Sequence, residues 1–285
     1  MEPRDDPDAG RAKREAASGR KPAVVSAVRT MNERLRFEAE EWTDLTKRFR
    51  LREGTPASVA ASVPCADLLD EDKCAAYMDR LKERMNAPSR LIAASMFAKR
   101  YAALVVMPCM YAMTAYDKSI DLAAGPAYLE SSPEPGESWL SHVYLSRVAV
   151  GSPAPERRRE WRDEALRGLY AGHLAPLWRA VSKAANAPLP ILWENTAVRL
   201  FSLYEKRMGE GDGAVSHARD DFEYVVRGAP GALFGEAENP FSKFYGNAGA
   251  DPNPPVRIRK TCCFYYKVSA AAEDYCSTCP KKKSR

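Results

Sequence analysis

The sequence lacks the motifs that bind the common nucleotide cofactors or carry a nucleophilic serine. No G-x-G-x-x-G follows a predicted strand, and neither G-x-x-x-x-G-K-[ST] nor G-x-S-x-G occurs in its 285 residues. Histidine is also scarce, with only His142, His173 and His217 far apart in sequence. A lone histidine is more often packed or solvated than a ligand. These absences exclude a recognisable nicotinamide, nucleoside triphosphate or acyl-enzyme site.

The chain also lacks a secretory signal and an uninterrupted apolar run. Residues 1–22 contain no apolar stretch and are predicted to be a disordered leader. Residues 91–116 are apolar, but Lys99, Arg100 and Pro108 divide them into pieces too short for a span of roughly 20 residues. We therefore expect a soluble, cytoplasmic protein without a membrane span, whose thiols stay reduced.

Positive charge is concentrated at the C-terminus. The net charge is +5, but residues 255–285 alone hold eight Lys/Arg against two acidic residues. The rest of the chain is therefore close to neutral, which argues against a surface that grips nucleic acid.

Apolar residues recur mainly at helical spacing, which predicts a mainly α fold with a minor β component (α+β). Helices are predicted over 24–49, 74–85, 89–108, 161–181 (kinked at Pro176), 188–204 and 216–226. A small sheet is predicted from 119–122 and 140–150, joined by the loop 125–138, and 228–255 has the composition of a linker or an elaborate loop. The predicted domains are the leader 1–22, a helical body 23–254 and a C-terminal segment 255–285.

Four of the seven cysteines lie within 18 positions of the C-terminal segment, as Cys262-Cys263 and Cys276-x-x-Cys279. Clustered thiols in a reducing compartment indicate a metal, either zinc or iron–sulfur. Side chains of adjacent residues in an extended chain point to opposite faces, so the adjacent pair must lie at a turn or bind two different irons. Spacing therefore favours iron–sulfur but leaves zinc open. The remaining cysteines are predicted to be structural: Cys65, Cys74 and Cys109.

These motifs resemble those of the FhuF-like ferric-siderophore reductases. An Arg-x-x-Cys-Cys-x-x-Tyr run is matched at residues 259–266, a His-Leu-x-Pro-Leu run at 173–177 and a Leu-Trp-x-Asn run at 192–195. The resemblance covers the chain from about residue 65 onward. It implies a [2Fe–2S] cluster on Cys262, Cys263, Cys276 and Cys279. One departure is the spacer between the two cysteine pairs, twelve residues here and usually ten in the family.

The resemblance also implies an enzyme, an oxidoreductase that passes one electron to a ferric siderophore of hydroxamate or citrate–hydroxamate type and releases Fe(II). The missing nucleotide motifs then require an external electron-donor protein, ferredoxin-like or flavoprotein-like. Two alternatives remain at this stage: a zinc-stabilised module with a basic tail, and a siderophore-binding protein whose cluster is structural. No catalytic residue beyond the cluster is predicted.

Substrate contacts are predicted at four residues. On an extended segment Arg257 and Arg259 share one face, where they could attract an anionic ferric complex. Trp193 and Asn195 lie in the matched Leu-Trp-x-Asn motif. The basic end, Lys281 to Arg285, is predicted to be a solvated tail or a steering surface for an acidic donor protein.

Overall fold

Helices dominate the computed structural model, which describes residues 35–56, 62–123, 125–132, 138–208, 216–245, 257–269 and 274–282. The α-helices are α1 (Ala39–Phe49), α2 (Glu71–Arg84), α3 (Arg90–Tyr101), α4 (Met107–Tyr116), α5 (Arg158–Leu166), α6 (Ala175–Ala185), α7 (Leu189–Lys206), α8 (Ala218–Glu223) and α9 (Ser242–Tyr245). The mainly α class with a minor β component is confirmed. The predicted leader 1–22 and the predicted domain boundary at 254/255 lie outside the described residues, so this division stays a prediction.

Polar caps set several helix starts. The Asp70 carboxylate accepts a hydrogen bond from the Lys73 amide at 3.0 Å and begins α2. Ser89 caps α3 in the same way, directly after Pro88. The first predicted helix differs from the structure, since residues 35–38 are not helical and α1 begins at Ala39, where Glu38 and Glu41 form a capping box.

Two long helices change their winding at a proline. A π-helical stretch, Ala102–Val106, joins α3 to α4, and Pro108 is the second residue of α4. A second stretch, Arg167–Leu174, joins α5 to α6, where Pro176 has the same position. Proline has no amide hydrogen to donate to the preceding turn. The irregularity predicted at Pro176 is therefore a change from π to α winding, and the third helix continues past Pro108.

The β component forms two small sheets. Strands β1 (Leu51–Glu53), β2 (Ser62–Pro64), β4 (Ala127–Glu130) and β5 (His142–Leu145) pair in the order β1-β5-β4-β2. Only the β1–β5 pair is parallel. Strands β3 (Ser119–Ile120) and β6 (Val150–Gly151) pair separately and antiparallel. Strands predicted over 119–122 and 140–150 are present as β3, β5 and β6, and β3 pairs with β6. The prediction of a single sheet is wrong, because β4 lies in the stretch expected to be a loop and pairs with β5 in a sheet with β1 and β2, which were not predicted.

The core lies between α2, α3, α6 and α7. Its centre is aromatic, with the Trp178, Tyr101 and Phe97 rings fully buried and in mutual contact. The continuous helix Arg90–Tyr116 is long and apolar enough to span a bilayer by length and composition alone, but 78% of its most apolar window is buried within the fold. That burial is the behaviour of a core helix.

The described part of the predicted linker belongs to this core. Residues 228–245 contain a 3₁₀ turn, Gly231–Phe234, and helix α9. The fully buried Phe234 and Phe241 rings pack against Tyr170. The glycine and proline composition therefore indicates a tightly folded loop over these residues. The Asn239 side chain fixes it by donating to the carbonyls of Val225 and Ala229.

Candidate metal centre

The two cysteine pairs come together because their backbones bond to each other. The Arg259 amide donates to the Thr278 carbonyl at 3.0 Å. Phe264 follows the adjacent pair with a φ of 62° and starts a 3₁₀ turn, Tyr265–Lys267. The Cys279 amide donates to the Cys276 carbonyl at 3.0 Å and closes the second turn. The adjacent pair thus precedes a turn directly, one of the two arrangements that the sequence left open.

Two of the four thiols are at the spacing of ligands on one metal ion. The Sγ atoms of Cys263 and Cys276 are 3.6 Å apart, against ~3.7 Å for two sulfurs on a tetrahedral metal with bonds of about 2.3 Å. The hydrogen bond from Cys263 lowers the pKa of the Cys276 thiol to about 6, and Lys99 and Arg259 act in the same direction. The lowered pKa favours the thiolate form of Cys276, which is the form that binds a metal.

The other two thiols accept backbone hydrogen bonds. The Phe264 amide points to Cys262 Sγ and the Lys281 amide to Cys279 Sγ, each at 3.4 Å. All four thiols are free. Over the described ranges no three metal-ligating side chains stand close enough to hold an ion. The arrangement is one close pair with two further thiols supplied by the same two turns.

A buried carboxylate fastens the first turn to α7. Glu194 is 2% exposed, and its oxygens accept bonds from the amides of Lys260 and Thr261 at 2.6 Å and from the Thr261 hydroxyl. The Arg259 guanidinium lies 3.8 Å away. Such a carboxylate can be buried only because donors surround it. It ties the residues just before Cys262 to the helical body.

A second connection runs through α3. The Asn195 amide nitrogen donates to the Ser95 carbonyl at 2.8 Å and to its Oγ at 3.0 Å. Ser95 Oγ then donates to the Cys263 carbonyl at 2.9 Å. Both side chains are fully buried. The position of Cys263 is therefore fixed from two helices that belong to the core.

The surroundings of the thiols are cationic. Arg259 is 5% exposed, and its Nε and one Nη have no hydrogen-bond partner. Lys99 lies 4.8 Å from the centre of the Tyr265 ring and interacts electrostatically with Cys263 and Cys276. Unpaired buried donors beside thiols call for an anionic acceptor. A four-thiolate iron–sulfur cluster is such an acceptor, so the donor set and its surroundings fit one.

Comparison with known families agrees with this geometry. A family model described as "Ferric iron reductase FhuF-like transporter" matches residues 95–225, and one described as "FhuF 2Fe-2S C-terminal domain" matches residues 259–281. The chain belongs to the FhuF-like family. No curated protein matches it.

Membership of the FhuF-like family decides the choice between metals. The cofactor of this C-terminal domain is a [2Fe–2S] cluster, and the family is one of ferric iron reductases. The prediction of an iron–sulfur oxidoreductase is confirmed at that level. The matches do not name the ligands, so the four cysteines stay predicted ligands.

Three of the four predicted substrate contacts are buried in the structure, and the fourth, Arg257, is engaged in an ion pair. Arg257 pairs with Glu205 at 2.8 Å and lies over the Tyr245 ring. Arg259 is buried, whereas Ile258 between the two arginines is exposed. Trp193 is 3% exposed and packs on Tyr170 and Phe241, and Asn195 is fully buried. Contact with a siderophore stays a prediction for all four.

The structural cysteines and the histidines also have defined surroundings. Cys65, Cys74 and Cys109 are buried in the core cluster. His173 Nε2 lies 2.6 Å from the Tyr101 hydroxyl, and burial lowers the pKa of His173 to about 4. His142 lies between Glu130 and Arg52, and His217 lies 3.7 Å from Asp117.

Sequence reasoning missed the residues that position the site. Glu194 lies in the matched Leu-Trp-x-Asn motif, between the predicted contacts Trp193 and Asn195, and its charge in an apolar helix was the available signal. Ser95 and Lys99 are one turn apart on α3, and Asn195 and Arg199 repeat that spacing on α7. No sequence pattern pairs the two helices, because their contact depends on the tertiary fold.

Proposed function

We propose that this protein reduces the Fe(III) of a ferric siderophore by one electron, with Cys262, Cys263, Cys276 and Cys279 as the ligands of its cluster. The observation that carries the proposal is the close Cys263–Cys276 thiol pair, in a domain of the 2Fe-2S type. Beside it lies the Arg259 guanidinium, whose Nε and one Nη have no hydrogen-bond partner. The bound cluster would supply one-electron chemistry. The protein's own residues hold the cluster and set its electrostatic surroundings.

Two cations beside the thiols, the buried Arg259 and the partly exposed Lys99, stabilise negative charge at the site. Arg259 and Lys99 interact with the thiols of Cys263 and Cys276, and a positive charge favours the more negative, reduced state of the centre. Glu194 and Ser95 keep the cysteine turn in place while that charge changes. This rigidity lowers the reorganisation that accompanies electron transfer.

Two of the thiols reach the surface. Cys262 and Cys276 are partly exposed, whereas Cys263 and Cys279 are buried. A ferric complex could therefore approach the exposed side of the cysteine turns without any movement of the helical body. Electron transfer is faster over a short distance between cluster and substrate, so we expect the substrate to bind next to the exposed thiols of Cys262 and Cys276.

Reduction is enough to release the iron from its carrier. Hydroxamate and carboxylate oxygens are hard ligands that hold Fe(III) far more strongly than the less charged Fe(II). No bond of the siderophore has to break. The proposed products are Fe(II) and the intact siderophore, for substrates of hydroxamate or citrate–hydroxamate type.

The electron is proposed to come from another protein, since the sequence has no nicotinamide or flavin motif. Lys281 and Lys282 are exposed beside Cys279 and could steer an acidic ferredoxin-like or flavoprotein-like donor. The four free thiols suit a reducing compartment such as the cytoplasm.

The experiment is anaerobic mixing of dithionite-reduced, desalted protein with a ferric siderophore. Visible absorbance follows reoxidation of the cluster, and a ferrous chelator traps the released iron. We expect one Fe(II) per cluster reoxidised, and no cluster reduction by NADPH alone. Rapid reoxidation by ferricyanide without any reaction with ferric siderophores would leave a structural cluster and overturn the proposal. One zinc and no acid-labile sulfide in protein from iron-replete cells would overturn the ligand assignment.

A further inference from the structure

Three cations of α3 and α7 have no acidic partner among the described residues, and two of them, Lys99 and Arg199, interact with the cysteine thiols. Lys99 and Arg100 end α3 and Arg199 lies on α7; these three residues are the cationic patch. Each is partly exposed, and none lies within ion-pair distance of a carboxylate in the described chain. By contrast Arg257, Arg158, Arg162 and Arg179 each pair with a carboxylate. The patch is thus a group of three neighbouring cations that no carboxylate of the described residues pairs with.

Backbone carbonyls hold the patch in place. Arg199 Nε donates to the Lys99 carbonyl at 3.2 Å, and Arg100 Nε donates to the Leu140 carbonyl at 2.9 Å. These bonds use the Nε of each guanidinium, and the terminal nitrogens have no hydrogen-bond partner among the described residues. Burial lowers the pKa of Arg100 and of Arg199, and neighbouring arginines lower both further. Holding like charges together in a partly desolvated place costs free energy, and binding of an anion offsets that cost.

The patch lies one helical turn from the anchor of the cluster segment. Ser95, which bonds the Cys263 carbonyl, and Lys99 are four residues apart on α3. Asn195, which bonds Ser95, and Arg199 are four residues apart on α7. Residues four apart share a helix face. The same two faces therefore carry the cysteine anchor on one turn and Lys99 and Arg199 on the next, with Arg100 following Lys99 in α3.

We propose that the cationic patch of Lys99, Arg100 and Arg199 binds the carboxylate groups of an anionic ferric siderophore and places it beside the cysteine turns. The inference rests on the proposed function and narrows its substrate class to citrate–hydroxamate complexes. Guanidinium groups pair with carboxylates through two parallel hydrogen bonds, and the ammonium group adds a point charge. A neutral trihydroxamate complex offers no carboxylate to these groups.

Gallium(III) complexes test this site without electron transfer, because Ga(III) is not reduced. Calorimetry measures binding of gallium–aerobactin, an anionic citrate–hydroxamate, and of gallium–ferrichrome, a neutral trihydroxamate, to the oxidised, cluster-loaded protein. We expect the anionic complex to bind at least ten-fold more tightly. The variant Lys99→Gln/Arg199→Gln should remove that preference. Its cluster absorbance and the cluster midpoint potential are recorded beside the binding data.

The charge-matched control is Lys82→Gln/Arg219→Gln, which removes one lysine from α2 and one arginine from α8 and should keep the preference. The variant Lys99→Gln/Arg199→Gln loses its cluster only if the patch is needed for folding of the segment. In that case the same binding measurements are made on Lys99→Arg and on wild-type protein at about 0.05 and about 0.5 M salt. Lys99→Arg should bind normally, and salt should weaken only the anionic complex, because screening shortens the reach of charge.

Equal binding of the two gallium complexes to wild-type protein would overturn the proposal. Unchanged binding in the patch variant, with only a shifted potential, would also overturn it and leave the patch a purely electrostatic neighbour of the cluster. Failure of the proposed function is distinguishable: gallium–aerobactin would bind through the patch, yet the reduced protein would not reduce ferric aerobactin.

Discussion

The helical body and the C-terminal cysteine segment hold their structures by different means. In the body, large apolar side chains such as Trp178 and Phe97 are fully buried between helices. In the described part of the segment only Arg259, Cys263 and Cys279 are buried. A segment this small cannot bury enough apolar surface to fold by itself. It depends on Glu194, Ser95 and the metal, so the two regions should respond differently to the same kinds of change.

The largest effect should follow removal of a cluster ligand. Replacing Cys263 by Ala should abolish the visible spectrum of the cluster, while far-ultraviolet circular dichroism of the helices stays unchanged. Binding of a metal often couples to the folding of a small segment but leaves a separate apolar core intact. The control is Cys74→Ala, a core change that should keep the spectrum and cost about 1 kcal/mol of stability. A retained cluster in the Cys263 variant would show that it is not a ligand.

The next effect should come from the carboxylate that joins the two regions. Replacing Glu194 by Ala leaves two backbone amides without their acceptor and the Arg259 guanidinium without its ion-pair partner. Breaking a buried charged contact costs about 3 kcal/mol. We expect faster loss of the cluster to a chelator and earlier proteolysis near the segment, with little change in thermal unfolding of the body.

The matched control is Glu205→Ala, which breaks a pair between the segment and α7 at a site that is 37% exposed. Partly exposed pairs contribute about 0–1 kcal/mol. Equal cluster lifetimes in the two variants would mean that Glu194 does not anchor the segment.

Acid should weaken the body through His173. Burial lowers the pKa of this histidine to about 4, below about 6.5 for an unfolded chain. The unfolded state therefore binds the proton first, so stability is full above pH 6.5 and falls as the pH decreases toward 4. The expected loss is about 2 kcal/mol between pH 7 and 5. Urea unfolding at several pH values should show this slope in wild type and in His217→Gln, but not in His173→Gln.

The smallest expected effect is a shift in the midpoint potential of the cluster bound by the segment. Replacing Arg259 by Gln removes a buried positive charge that interacts with Cys263 and Cys276. The reduced state loses more stabilisation than the oxidised one. The midpoint potential should fall on the order of 50 mV, about 1 kcal/mol for one electron and within the range of a unit charge at an effective dielectric near 20. Arg257→Gln, whose charge is already paired with Glu205, should leave the potential unchanged in a redox titration followed by electron paramagnetic resonance.

The sequence by itself determined the α-helical class and the grouping of four cysteines. Periodicity identified α2 and α7 because an amphipathic helix repeats its apolar residues locally. It did not identify β1, β2 or β4, since three- and four-residue strands depend on partners distant in sequence: Leu51 pairs with Val143 and Val63 with Leu129.

Only the tertiary structure decided which residues surround and position the cysteines. Arg257 and Arg259 look equivalent in sequence, yet one pairs with Glu205 at the surface and the other is buried beside Glu194. Lys99 and Arg100 look like an interruption of an apolar helix, yet the packing of α3 on α7 brings Lys99 to Arg199 and to the Cys263 turn. Spacing reports neighbours within one element, whereas a site assembled from three elements exists only once they pack together.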